Sequence, residues 1–171
     1  MAFYKILYQP NDKNPPFYKQ VSLKKIIVGE NSYSFAVPYS PQSFSTWLMN
    51  DEIYRIILDS TVKQLIMSNH KFLDLILNQD YFDLDLVDCD FENVNVDNLL
   101  EGEEFSAEMI ITLLQDEDYQ MVKLYFRTKS HHMITLKSNG VLGIDTELRE
   151  EEIVNIKKLI SFVSFGPVML V

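Results

Sequence analysis

Lysine and arginine are absent between Lys71 and Lys123, a run of 51 residues that holds 15 of the chain's 25 aspartates and glutamates. All 15 basic residues lie outside that run, so the formal net charge of −10 is a local −15 set in a frame of +5. Such a segment projects a negative potential that draws cationic partners and repels nucleic acid and anionic lipid. Cysteine is nearly absent too. The single Cys89 excludes an internal disulfide and any site built on several thiolates, and it fits a reducing cytoplasm. Glycine occurs only at positions 29, 102, 140, 143 and 166, in neither a Walker-type nor a G-x-G-x-x-G spacing, so no phosphate-cradling loop is indicated, and no G-x-S-x-G elbow is present. Long apolar runs are missing as well. The longest, Leu159 to Val171, has 13 residues broken by Gly166-Pro167, short of the roughly 20 a membrane span needs. It reads as a helix end followed by a buried terminal strand. The N-terminus reaches a polar loop by Gln9-Pro10-Asn11 and contains no signal-peptide h-region.

What is present fits one globular domain over residues 1–171, since 47% hydrophobic residues in a chain of this length supply a core without cofactor or disulfide. The pattern predicts an α+β fold, mainly antiparallel sheet, with an N-terminal meander, a central helical segment, a C-terminal meander and a C-terminal helix. Phe3 to Tyr8 reads as a strand ended by the proline-rich loop Gln9 to Pro16. Phe17 to Val28 and Ser32 to Val37, rich in aromatic and β-branched residues, read as strands flanking a Gly29-Glu30-Asn31 connection. Ser40-Pro41 is an N-cap with proline at N1, and Asn50-Asp51 offers a fresh cap where the apolar phase slips. From Ile53 through Leu58, Leu65 and Leu77 the helical period continues as one helix or two, ending near Asn78, with Asn69 its one polar residue.

In the acidic run, Phe82, Leu84 and Leu86 alternate with Asp83 and Asp85, the pattern of a strand with carboxylates on its solvent face. The apolar positions then fall at 84, 86, 89, 91, 94, 96 and 99, a spacing of 2, 3, 2, 3, 2, 3. With Leu86, Phe91 and Val96 as central residues, that spacing resembles a coil of the pentapeptide-repeat family. The resemblance implies a square β-helix, and some members of that family imitate DNA with an acidic surface. It covers 16 residues, less than one turn of such a coil, and two short strands joined by bulges or turns account for the same spacing without stacked neighbours. Ala107 to Leu114, Tyr119 to Thr128, His132 to Lys137 and Val141 to Ile144 read as strands, with Asp116-Glu117-Asp118 at a hairpin tip and Asn139-Gly140 as a type I′ turn. Val122, Leu124 and Phe126 are expected to face the core, and Lys123, Tyr125 and Arg127 to face outward. Asp145 or Thr146 caps the last helix, Glu147, Glu150, Glu151 and Glu152 crowd its positive end, and Ile153, Ile156, Leu159, Ile160 and Val163 form its buried face.

The candidate binding residues are Asp83, Asp85, Asp88, Asp90, Glu92 and Asp97, followed by Glu101, Glu103 and Glu104. As calcium ligands they lack the EF-hand glycine, because position 6 counted from Asp83 is Asp88 and from Asp85 is Asp90. His131 and His132 would point to opposite faces of a strand, and with His70 distant no zinc spacing exists. Cys89 sits among carboxylates that raise a thiol's pKa and disfavour a thiolate nucleophile. Lys123, Tyr125, Phe126, Arg127 and Lys129 form a short basic and aromatic stripe, but the acidic run beside it opposes phosphate. No cofactor, metal, membrane or direct nucleic-acid partner is expected. The leading expectation is a small acidic cytoplasmic protein that binds a basic protein partner through residues 83–97, as inhibitors, immunity proteins and nucleic-acid mimics do. Two other readings stay open: a hydrolase using carboxylates with His131 or His132, and an assembly or chaperone subunit that exposes an apolar patch and forms a homodimer.

Overall fold

The computed structural model describes residues 1–167 and has the α+β architecture read from the sequence. The strands are β1 (Ala2–Tyr8), β2 (Ile27–Val28), β3 (Ser34–Pro38), β4 (Lys63–Gln64), β5 (Leu84–Phe91), β6 (Met121–Thr128), β7 (Met133–Lys137) and β8 (Val141–Ile144). The helices are α1 (Phe17–Gln20), α2 (Pro41–Leu48), α3 (Asp51–Asp59), α4 (Asn69–Leu77), α5 (Val96–Leu100), α6 (Ala107–Leu114) and α7 (Glu150–Phe165), with a 3-10 turn at Gln79–Phe82. One antiparallel sheet runs β2-β3-β1-β8-β7-β6-β5, and β4 pairs with β1 beyond the end of β8. The terminal strand expected after Gly166-Pro167 falls on residues 168–171, outside the described residues.

Several elements follow their local signals. The Ser40 hydroxyl accepts the Ser43 amide at the start of α2, and the Asn50 side chain accepts the amides of Glu52 and Ile53 at the start of α3. The central helical segment resolves into two helices. Thr61, at φ 53°, ends the first path, β4 intervenes, and Ser68 caps α4. Asn69 then spends its amide on the backbone of a neighbouring strand, donating to Tyr119 O and accepting from Met121 N.

Four expectations are corrected. Phe17 to Val28 is not one strand: Gln9 Oε1 accepts the Phe17 amide at 2.7 Å, which opens α1, and only Ile27–Val28 joins the sheet. Ala107 to Leu114 is helix α6, because the Ser106 hydroxyl takes the Met109 amide and the buried pair Ile110 and Leu114 is spaced by one helical turn. A run that is apolar on nearly every side carries no period to separate helix from strand. The turn at Asn139-Gly140 is a three-residue connection in which Gly140 alone takes positive φ, at 78°, and its amide donates to Lys137 O. A Cβ on Gly140 would stand 2.3 Å from the Leu65 carbonyl oxygen, so the glycine is required by packing as well as by dihedral angle. The last helix begins at Arg149 rather than at Asp145 or Thr146, because the Glu152 carboxylate reaches back to the Arg149 amide at 2.7 Å.

The sheet has two unlike faces. Ile6, Leu124, Phe126, Ile134, Leu136, Leu142 and Ile144 point into the main core beneath α4, α6 and α7. The other face is covered only at its β1–β3 end, where Leu7, Phe17, Phe35 and Val37 pack under α1, α2 and α3. The rest is open. Its cross-strand rows read Asp88, Tyr125, Thr135, Gly143 and Phe3, and beside it Asp85, Arg127 and Met133. Lys123, Tyr125 and Arg127 face outward as expected, but Val122 does not join Leu124 and Phe126 in the core. The bulge opposite Asp90 and Phe91 shifts the phase and buries Met121 in its place.

Candidate protein-interaction surface

The residues 83–97 divide where β5 ends. On β5 the apolar side chains Leu84, Cys89 and Phe91 enter the core, which turns Asp85, Asp88 and Asp90 together onto the open face of the sheet. The loss of phase noticed in the sequence is a bulge between Leu86 and Asp88 and another between Asp90 and Phe91, within a regular antiparallel pairing with β6. No β-helix coil forms, since Val96 to Leu100 is helix α5, begun by the Asn95 side chain accepting the Asp97 amide. The spacing that resembled a pentapeptide repeat is therefore a bulged strand followed by a helical turn.

Across the ladder, β6 meets the β5 carboxylates with opposite charge. Asp85 pairs in register with Arg127 and Asp90 with Lys123. Tyr125, the neighbour of Asp88, donates its phenol proton to Asp90 Oδ2 at 2.7 Å, and the Lys123 ammonium lies 4.3 Å from its ring centre. Burial and the Asp90 carboxylate push this phenol up to about 12. Asp83, in a left-handed conformation at φ 51°, holds Lys129 at 2.6 Å and Asn155 at 3.4 Å. The hydrogen bond and charge of Lys129 keep its carboxyl below the usual range. Of the basic and aromatic stripe, Tyr125 is thus engaged with Asp90 and Lys129 with Asp83, while Phe126 is buried in the core.

Strand β5 is also an end of the sheet, where unpaired backbone groups invite another chain. Two of its amides are already taken by side chains. Gln79 Oε1 accepts the Leu86 amide at 2.9 Å, and Asp88 Oδ1 accepts the Cys89 amide at 2.8 Å. With two bulges and three outward carboxylates, the edge is guarded against strand addition. Cys89 itself is buried, and burial, then Asp88 and Asp90, push its thiol up to about 12, which leaves it protonated and inert.

Beyond β5 the acids are differently placed. From Glu92 to Asp118 the chain forms a turn, α5, a loop and α6, and it carries nine acids, every one exposed, with no lysine, arginine or histidine. Glu92, Asp97, Glu101, Glu103, Glu104, Glu108 and Asp116 to Asp118 make no ion pair among the described residues. Glu92 N donates to Gln120 O across the lobe, and Asp118 N donates to Asp116 Oδ1 within one turn. The first bond brings Glu92 beside the turn that carries Asp116 to Asp118. Of the expected binding residues, Asp83 is paired with Lys129 just before β5, Asp85, Asp88 and Asp90 lie on β5 opposite Arg127, Tyr125 and Lys123, and Glu92, Asp97, Glu101, Glu103 and Glu104 belong to a lobe with no cation of its own.

The two histidines have separate fates. His131 is exposed at φ 67°, where its amide closes the β6–β7 turn on Thr128 O. His132 turns inward, and its Nδ1 lies 3.0 Å from both carboxylate oxygens of Glu152. Glu152 is only 8% exposed and also accepts the Thr128 hydroxyl and the Arg149 amide. Burial alone would raise its pKa; the Thr128, Arg149 and His132 hydrogen bonds together overcome that and carry it down to about 2. Glu152 looked in the sequence like one more solvated acid at a helix start. The signal that could have found it is the Arg-x-x-Glu spacing of Arg149 and Glu152, half of a capping box. Ile153, expected in the buried face of α7, is 37% exposed instead, one position out of phase with the inward Glu152.

Among the described residues, no group of three or more histidine, cysteine, aspartate or glutamate side chains is placed to hold a metal ion, and no helix is long and apolar enough to cross a membrane. An apolar groove that the sequence did not announce lies between α2, α3 and β4, lined by Leu7, Trp47, Leu48, Ile57, Val62 and Ile66. No protein-family model matches this chain, and no curated protein or solved structure matches it.

Proposed function

We propose that this chain is a cytoplasmic protein that binds a basic protein and inhibits or neutralises it, with the lobe from Glu92 to Asp118 as the face that meets the partner. The observation that carries this reading is the set of nine exposed acids in one segment with no cation of its own and no ion pair among the described residues. A lobe of this kind speeds encounter with a cationic cleft and competes with nucleic acid for it. The β5 carboxylates contribute less, because Asp90 bonds the Tyr125 phenol and Asp85 and Asp90 stand across the ladder from Arg127 and Lys123. A pull-down from native extract at low and high salt, with intact chain and with Glu101→Lys, Glu103→Lys and Glu104→Lys combined, tests it. A basic protein captured at low salt by the intact chain and lost from the variant is the expected result. Capture that ignores both salt and charge reversal would remove the idea.

The assembly-subunit reading has one observation in its favour. Ile66, which lines the α2–α3–β4 groove, is 71% exposed, and no side chain of α2 or α3 is fully buried. Sedimentation of the intact chain against Ile66→Asp separates the two readings, since self-association through this groove would be lost in the variant and independent of salt. The hydrolase reading requires an acid raised in pKa beside an accessible histidine. Glu152 is held at about 2 and His132 is occupied by it, so this pair gives that reading no support.

A further inference from the structure

A cleft of about 620 Å³, of the size that accepts a small molecule, lies between α7, the 3-10 turn at Gln79–Phe82 and the connection from β2 to β3. None of its lining residues belongs to the acidic lobe. Its apolar walls are Tyr81, 52% exposed, and Phe162. Its charged groups are one of each sign, Glu30 and Lys158, and neither is in an ion pair among the described residues. Lys158 instead holds its ammonium 5.0 Å over the Tyr81 ring, poised on the aromatic wall. The frame is rigid where it matters. Asn31 N donates to Ser161 Oγ at 2.8 Å, Ser34 Oγ bonds the same hydroxyl at 2.9 Å, and Glu30 N donates to Lys157 O at 3.1 Å. Gly29 allows this approach, because a Cβ there would stand 2.6 Å from Ser161 Oγ. The Glu30 backbone is thus tied to the same helix that carries Lys158, and its exposed carboxylate is left for a ligand.

We propose that this cleft binds a zwitterion with an apolar side group, an amino acid of aromatic or large aliphatic type. Its carboxylate meets Lys158, its ammonium meets Glu30, and its side group lies against Tyr81 and Phe162. A ligand with only one charge would leave the other residue without a partner, and an apolar ligand would leave both. Net charge disfavours one of these alternatives further: in a chain of −10, an anion alone is repelled at long range, whereas a zwitterion is not.

The test is a titration of the intact chain with L-phenylalanine, followed by heat and by the amide resonances of Ser161 and Phe162. Hydrocinnamate, which lacks the ammonium, and phenethylamine, which lacks the carboxylate, are run beside it. Each single-charge analogue should bind about tenfold more weakly or worse, the value of one charge-assisted hydrogen bond. Lys158→Met should bring phenylalanine down to the level of phenethylamine, and Glu30→Gln should bring it down to the level of hydrocinnamate. This crossed pattern cannot arise from partial unfolding, which would weaken all three ligands alike. Absence of a saturable shift with phenylalanine up to its solubility limit, or equal binding of the three compounds to every variant, would overturn the proposal.

Discussion

Two neighbouring stretches of this chain carry the same charge and use it in opposite ways. Asp83, just before β5, pairs with Lys129, and Asp85, Asp88 and Asp90 stand on a strand whose partner sets Arg127, Tyr125 and Lys123 across from them, with the Tyr125 phenol bonded to Asp90. From Glu92 to Asp118 nine acids project from turns and short helices with no cation in the segment. Side-chain chemistry does not separate the two sets; backbone geometry does. A strand in an antiparallel sheet has a neighbour about 5 Å away at every position, so its charges are answered or opposed locally. A loop has no such neighbour, and its charges add into a field felt at the distance of a Debye length.

The largest effect belongs to the carboxylate that is paired most fully, and it calibrates the others. Glu152 has a folded pKa of about 2 against an ordinary 4.5, which corresponds to about 3 kcal/mol of stability. Because the folded value is depressed, that stability is fully present above the ordinary carboxylate range and is lost as the pH falls from about 4.5 toward about 2. Urea unfolding of Glu152→Gln at neutral pH should show a loss of about 3 kcal/mol, and the variant's stability should no longer fall across that window. A loss below about 1 kcal/mol would mean that pairing inside this protein is worth little, and the contrast between answered and unanswered acids would lose its scale.

Next in size is the edge of β5. Gln79→Ala frees the Leu86 amide and Asp88→Ala frees the Cys89 amide, each an unmade hydrogen bond at a sheet edge that costs about 1 kcal/mol. The double variant should also aggregate on warming, because an unguarded edge accepts another strand. Light scattering during a thermal ramp reads this directly. A double variant as clear as the parent would show that the β5 acids are not edge protection and would restore them as candidates for partner binding.

The sequence made the compensated half of this comparison legible in part. Alternation of Leu84 and Leu86 about Asp85 placed Asp85 outward, and the Tyr119 to Thr128 pattern placed Lys123, Tyr125 and Arg127 outward, because a period of 2 is the direct projection of a strand on one core, whereas Phe82 and Asp83, expected in the same strand, lie in a 3-10 turn and its left-handed cap. What the alternation could not say is that these two strands are neighbours in register. A helix, a loop and a second helix separate them along the chain, and cross-strand pairing is a long-range fact. The caps at Ser40 and Asn50 were readable for the opposite reason, since each bond closes within three residues. Ala107 to Leu114 has the composition of a strand because a run apolar on most sides shows no period, and Glu152 is indistinguishable in sequence from the other acids at the helix start because its partners Thr128 and His132 lie 24 and 20 residues away. Local hydrogen bonds and single-core periods are written in the sequence; which charge meets which is decided by the fold.

Asp90→Asn tests the compensated side at the level of one residue. It weakens the bond from the Tyr125 phenol and removes the charge facing Lys123, so the Tyr125 pKa should fall from about 12 toward the ordinary value of 10. The stability cost should stay under about 1 kcal/mol, the range of a surface cross-strand pair. A titration of the Tyr125 ring resonance follows the first effect. A phenol that does not move would mean that Asp90 and Tyr125 are not engaged in solution, and the acids of β5 would then be as free as those of the lobe.

The smallest effect on stability is expected in the lobe, and its sign is what matters. Glu101→Gln, Glu103→Gln and Glu104→Gln together remove three exposed charges that no cation answers, so no attraction is lost and mutual repulsion is relieved. The triple variant should unfold within about 0.5 kcal/mol of the parent, on the side of higher stability. Salt discriminates further. Raising ionic strength from about 0.01 M to about 1 M shortens the Debye length from about 30 Å to about 3 Å, which screens repulsion within the lobe of the parent but has less to screen in the variant. The parent should therefore gain more stability from salt than the triple variant does. If instead the variant is destabilised, these glutamates have partners within the fold, the lobe is compensated like β5, and the difference between the two acidic regions disappears along with the surplus field on which partner binding depends.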